Sequence, residues 1–109
     1  MSNPILKGIP ASVGIAEGTV RIVHGSEDKN IFQEGDILVA RITDPTMVGM
    51  MIKAAAIVCD IGGITSHPSI VSREMGIPCV VNTGNATTVL KDGMKVRVDG
   101  TKGEIYALD

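Results

Sequence analysis

Three short apolar runs punctuate the middle of the chain: Ile37-Leu38-Val39-Ala40, Ala55-Ala56-Ile57-Val58-Cys59 and Pro78-Cys79-Val80-Val81. Runs of this length without polar alternation predict strands buried on both faces. Between the first two, Met47, Met50 and Met51 fall at i, i+3, i+4 spacing after Asp44-Pro45. That spacing predicts a helix over about Thr46–Ala54, with Thr43 or Asp44 as its cap and Pro45 in the first turn, where a missing N–H has no intrahelical partner to lose. The methionine stripe reads as core filling rather than as a cofactor box. Between the second and third runs the pattern predicts a helix over His67–Met75, stopped by Gly76. Strand, helix, strand, helix, strand in this order predicts parallel pairing with right-handed crossovers, an α/β architecture with a central sheet.

The flanks are less regular. A short strand is expected around Ile5–Lys7, followed by a turn at Gly8 and Pro10. From Val13 to His24 the β-branched residues dominate but Gly14 and Gly18 interrupt them, which predicts a strand pair or a bent strand with a bulge. Residues 25–30 read as a solvated loop, 34–36 as a turn and 84–87 as a loop or short turn. Met94, Val96 and Val98 alternate with Lys95, Arg97 and Asp99, a strand with one wet face, and Glu104–Leu108 closes a hairpin on it.

Composition narrows the class. A chain of 109 residues has room for one core, so residues 1–109 are expected to form a single domain. Aromatics are only 2% of the residues against 44% hydrophobic, so that core must be aliphatic. The net charge of −2 has no basic block, which argues against a nucleic-acid partner. Cys59 and Cys79 are isolated in apolar runs, as buried reduced thiols of a cytoplasmic protein would be. Neither a signal segment nor a membrane-spanning run is evident, so no membrane partner is expected.

The chemistry concentrates in Gly62-Gly63-Ile64-Thr65-Ser66-His67. A strand that stops at two glycines and passes into a helix gathers free N–H groups and the positive end of a helix dipole, a place suited to phosphate. Thr65 and Ser66 add hydroxyls suited to capping the helix or bonding a phosphate oxygen. Imidazole, with an ordinary pKa of about 6.5, is largely neutral in cells and can attack phosphorus. On a helical wheel, however, His67 shares a side with Ile70, Val71 and Met75, so the residues alone favour a core histidine bonded to a backbone carbonyl. Cys59, His67 and Cys79 lack the close paired spacing of a zinc site, and Ser66 and Ser69 lack the G-x-S-x-G elbow. No metal is expected. Arg73 and Glu74 read as a solvated helix face, and His24 as a surface residue.

Gly62–His67, continued through Ile70-Val71, Arg73-Glu74, Gly76 and Pro78–Val81, resembles the phosphohistidine signature of the mobile domain of phosphoenolpyruvate-utilising enzymes, which include pyruvate phosphate dikinase, phosphoenolpyruvate synthase and enzyme I of the sugar phosphotransferase system. The resemblance extends over roughly residues 8–107. It implies a swivelling β/β/α domain in which His67 is transiently phosphorylated and relays phosphate between two active sites. It further implies that Gly62, Gly63, Thr65 and Ser66 surround the phosphate and that Thr43 orients the histidine. Two positions depart from the pattern: Pro68 stands where a small residue such as alanine is usual, and Ile61 precedes the two glycines. Domains for nucleotide and for phosphoenolpyruvate or pyruvate are absent from the chain, so magnesium, nucleotide and phosphoenolpyruvate are expected on partner proteins, with no cofactor in the chain itself. A carrier of this kind is not expected to turn over alone. A regulatory or interaction subunit that keeps the fold, and a domain cut from a larger phosphotransferase, are the alternative expectations.

Overall fold

The structure is a computed structural model that describes residues 3–108. Met1, Ser2 and Asp109, which the single-domain expectation included, lie outside the described residues. Eight strands are β1 (Leu6–Lys7), β2 (Ile9–Ser12), β3 (Ile15–Ile22), β4 (Ile37–Ala40), β5 (Ala56–Cys59), β6 (Cys79–Val81), β7 (Lys95–Asp99) and β8 (Glu104–Leu108). Three helices, α1 (Val48–Met51), α2 (His67–Met75) and α3 (Ala86–Val89), and two 3-10 turns, Ser26–Asn30 and Pro45–Met47, complete the described elements.

The three apolar runs form the expected parallel strands, with β4 beside β5 and β5 beside β6. Period-2 geometry sends their side chains to two cores. Leu38, Ala40, Ile57, Cys59, Cys79 and Val81 face one core with Met47, Met50, Met51 and Phe32. Ile37, Val39, Ala56, Val58 and Val80 face the other, with Val96, Val98 and Ile105 from β7 and β8. The result is two layers of strand and one of helix, a β/β/α arrangement.

The strands run in the order β1-β8-β7-β3-β4-β5-β6-β2, and the two ends of that order are neighbours in the chain, separated only by Gly8. Residues 6–12 therefore pass from one layer to the other. A Cβ at Gly8 would lie 2.4 Å from the Val81 carbonyl oxygen, so only glycine turns this corner. β3 makes the second crossing: Ile15–Thr19 pair antiparallel with β7, and Val20–Ile22 pair parallel with β4. Gly18 sits at that switch, with its missing Cβ 2.7 Å from the Gly35 oxygen.

Five expectations change, the first being residues 84–87, read as a loop or short turn, where α3 begins at Ala86. Within residues 13–24 the single strand Ile15–Ile22 forms, the one-strand alternative rather than the pair, and the register irregularity lies instead in β2, between Pro10 and Ser12. β2 itself was expected as a turn; Pro10 hides it in the sequence, and its partner β6 lies some 70 residues away. The helix expected over Thr46–Ala54 is the Pro45–Met47 turn followed by four residues of α1, still burying all three methionines. Residues 26–30 form a 3-10 turn, anchored where the His24 N–H donates to the Asp28 carboxylate at 2.7 Å.

Both cysteines are free and fully buried. Burial pushes the Cys59 thiol well above its ordinary value and the Cys79 thiol up to about 11. At pH 8 only about one Cys79 thiol in a thousand would be ionised. Both thiols are expected to resist iodoacetamide in the native protein and to alkylate once urea unfolds it, which mass spectrometry reads directly.

Candidate functional site

Four segments converge at the carboxyl ends of β4 and β5. The chain leaves β4 through Thr43-Asp44, where Asp44 caps the following turn by accepting from the Thr46 N–H at 2.8 Å and from the Thr46 hydroxyl. Thr46's hydroxyl, and then its amide, hold the Asp44 carboxyl below its ordinary value, with a smaller pull from the nearby His67 ring. The chain leaves β5 through Asp60, whose carboxylate accepts from both the amide and hydroxyl of Thr87 and so ties α3 to this end of the sheet.

The turn that delivers His67 begins at Gly62, where φ is +115°. That backbone conformation is open to glycine and strained for other residues, and a Cβ would also meet the Ser66 hydroxyl at 2.8 Å. Gly63 has open space where a Cβ would stand. Its carbonyl, by contrast, is crowded with donors: the Ser66 N–H at 3.1 Å, the Ser66 hydroxyl at 2.7 Å and the Ser69 hydroxyl at 2.6 Å. Ser66 occupies the N-cap of α2 but its side chain bonds backward to this carbonyl instead of capping the helix. Thr65 is exposed and its hydroxyl has no partner among the described residues.

His67 is the first residue of α2 and is half-buried. Its Nδ1 lies 2.8 Å from the hydroxyl of Thr43, which is itself buried. The partner is thus a side chain from the neighbouring strand end and not a backbone carbonyl. The fully buried side of the helix is Pro68, Ser69 and Ser72; of the residues expected to flank His67, Val71 packs partly buried against the core, while Ile70 and Met75 are exposed. Small residues there let α2 lie close to β6 and β2. The helix ends as expected at Gly76, in the left-handed conformation, with its N–H on the Arg73 carbonyl and the Ile77 N–H on that of Ser72.

Two further features escaped sequence reasoning. Arg73 is exposed, as a solvated helix face requires, and its guanidinium also donates to the Ala11 carbonyl of β2 at 2.8 Å and to the Ile64 carbonyl at 2.5 Å. A cleft of about 420 Å3 opens beside Asp44, with His24, Arg41, Ile42, Asp60 and Thr87 among its walls. Neither is signalled by spacing, because each joins residues far apart in the chain.

The geometry brings His67, Thr43 and the Gly62-Gly63 turn together with Ser66 facing inward and Thr65 outward. A neutral imidazole held through Nδ1 leaves Nε2 free, and free N–H groups stand nearby, an arrangement suited to holding a transferable anion. Comparison with known proteins is consistent with it. Residues 32–103 match the family described as "PEP-utilising enzyme, mobile domain". The phosphoenolpyruvate synthase of Pyrococcus furiosus is 56% identical over 102 residues, 94% of this chain and 12% of that protein. Among solved structures, Enzyme I (nEIt) superposes with a TM-score of 0.61 at 35% identity, over 70% of this chain and 32% of that one. Aconitase X from Thermococcus kodakaraensis reaches a TM-score of 0.71 over 98% of this chain and 100% of that one, but at 24% identity the likeness is one of fold alone. The chain spans 12% to 15% of the length of the phosphoenolpyruvate synthases it matches. By the family match and the shared identity, this chain belongs to the phosphoenolpyruvate-utilising enzymes, as their mobile domain.

Proposed function

We propose that the chain, acting as one unit, carries a phosphoryl group on His67 Nε2, taking it from one active site and surrendering it at another. The observation that carries this reading is the 2.8 Å contact between His67 Nδ1 and Thr43 Oγ1. With the Nδ1–H donating to the threonine oxygen, the Nε2 lone pair is left as the nucleophile. Nε2 attacks phosphorus, the N–P bond forms, and the bond from phosphorus to the donor's leaving oxygen breaks with its electron pair on that oxygen. The ring gains positive character as it reacts, and the ionised Asp44 carboxylate nearby favours that change. Delivery to the acceptor is the same displacement in reverse, with an acceptor oxygen as nucleophile.

Phosphoenolpyruvate synthase is the name of several relatives at 50% identity or more, so the donor and acceptor sites are assigned to a nucleotide-binding and a phosphoenolpyruvate- or pyruvate-binding partner, whether on the same longer protein or on separate chains. Magnesium, nucleotide and phosphoenolpyruvate belong to those partners. Two free, buried thiols fit a cytoplasmic setting. No helix among the described residues is long and apolar enough to cross a membrane.

Phosphoramidate, a small phosphoryl donor whose P–N bond breaks with ammonia as the leaving group, tests the carrier without any partner. The expected product is a single acid-labile phosphate, mapped by mass spectrometry to His67 and by 31P NMR to Nε2. A chain that takes no phosphate, or takes it on His24 or on Nδ1, overturns the reading.

A further inference from the structure

Two successive peptide units in the turn before His67 have their carbonyls seized by side chains. The Gly63 carbonyl is held by the hydroxyls of Ser66 and Ser69, and the Ile64 carbonyl by the Arg73 guanidinium. No peptide bond among the described residues is cis. In a trans unit the N–H points opposite to the C=O. Fixing the Gly63 carbonyl therefore turns the Ile64 N–H the other way, and fixing the Ile64 carbonyl does the same for the Thr65 N–H. Neither N–H donates to any acceptor among the described residues, and both residues are exposed.

Arg73 is the unusual member of this set. The ion pairs among the described residues are Arg21 with Asp36 and Arg97 with Glu17, so Arg73 spends its charge on two neutral carbonyls, one in β2 and one in the turn. A planar fork reaches the two acceptors from two separate nitrogens in fixed directions; an ammonium offers its donors from a single nitrogen. Pro68 adds weight to the loop, because as the second residue of α2 it removes one of the helix's own free donors.

Resting on the carrier reading above, we propose that Arg73 is a positioning residue for the phosphoryl group: by clamping the Ile64 carbonyl between β2 and α2 it aims the Thr65 N–H, next to that of Ile64, at the phosphate oxygens on His67. Arg73 itself does not touch the phosphate. It acts through the orientation of a peptide plane.

The test uses 15N-labelled chain, phosphoramidate, and paired 31P and 1H–15N spectra of the native protein and of Arg73→Gln and Arg73→Lys. In the native chain the Thr65 and Ile64 amide protons are expected to move downfield on phosphorylation, further than the amides of β7. In Arg73→Gln, His67 still takes phosphate, the Thr65 displacement disappears, and the phosphohistidine hydrolyses about tenfold faster, the order of effect of losing one hydrogen bond to a charged group. Arg73→Lys, which keeps the charge but not the fork, is expected to resemble the glutamine variant, and serves in its place if the β7 amides show that Arg73→Gln has lost its fold. Phosphorylation of His67 with a Thr65 amide that stays still in the native chain, or that moves equally in both variants, overturns the role of Arg73 and leaves the carrier reading standing. Absence of phosphate from native His67 overturns both.

Discussion

Thr43→Val is expected to slow phosphorylation of His67 by phosphoramidate on the order of a hundredfold, the scale of a reacting group displaced by about an ångström. Valine keeps the shape of threonine and removes the oxygen that lies 2.8 Å from Nδ1. Two things are lost together. The ring is free to rotate, and nothing favours the tautomer that carries its proton on Nδ1, so Nε2 is less often both aimed and unprotonated. Because His67 is half-buried, water can satisfy the abandoned nitrogen, and the stability change should stay within about 1 kcal/mol. Thr43→Ser, which restores the oxygen, is expected to react near the native rate. The time course of the 31P phosphohistidine signal measures all three proteins, and a native rate in the valine variant would strip the contact of its functional meaning.

Gly100→Ala is expected to be the most damaging of the glycine exchanges, lowering stability by at least about 3 kcal/mol and the melting temperature by roughly 10–20 °C. A Cβ at Gly100 would lie 2.0 Å from the Ser12 carbonyl oxygen, 2.9 Å from the Cys79 nitrogen and 3.2 Å from the Pro78 Cα, all of them backbone. No rotamer change relieves such contacts; β2 and the start of β6 would have to part from the turn between β7 and β8. Against a typical total of about 5–15 kcal/mol, that is a large share. Gly49 in α1 is the matched control, since nothing lies within 4 Å of its missing Cβ and Gly49→Ala should stabilise by about 0.5–1 kcal/mol. Thermal unfolding followed by circular dichroism separates the two, and similar melting temperatures would disprove the packing argument.

The parts of the fold written in local pattern are legible in the sequence. Ile37–Ala40, Ala56–Cys59 and Cys79–Val81 announce themselves as buried strands, and Gly76 marks the end of α2 one residue after Met75. What is hidden depends on partners far along the chain. Ile9–Ser12 becomes a strand only because β6 lies beside it, and the bulge between Pro10 and Ser12 absorbs a residue that looks like a turn former. The charged run Ser26–Asn30 buries nothing, so no periodicity betrays its 3-10 turn. In the site, the residues around His67 suggest an anion at a helix start, but by themselves they favour a core histidine. Thr43 stands 24 positions away, and its pairing with His67 comes from resemblance and not from spacing. Arg73 lies on the wet face as expected, but its contacts are hidden for a related reason: only the fold brings the Ala11 and Ile64 carbonyls within its reach.

The route of residues 6–12 across the Gly8 corner bears on how the domain meets other proteins. The strand order ends in β1 and β2, whose lengths are two and four residues. Pro10 lacks an N–H to offer, and the Ala11 carbonyl is already taken by Arg73. On the carrier reading proposed above, the domain visits two sites in turn and must let go of each. With such blunt borders there is little bare main chain for a host to zip onto, and docking is left to side chains, whose grip is easily released. On that same reading, the covalent join that closes the layers helps keep the traveller from being captured at either stop.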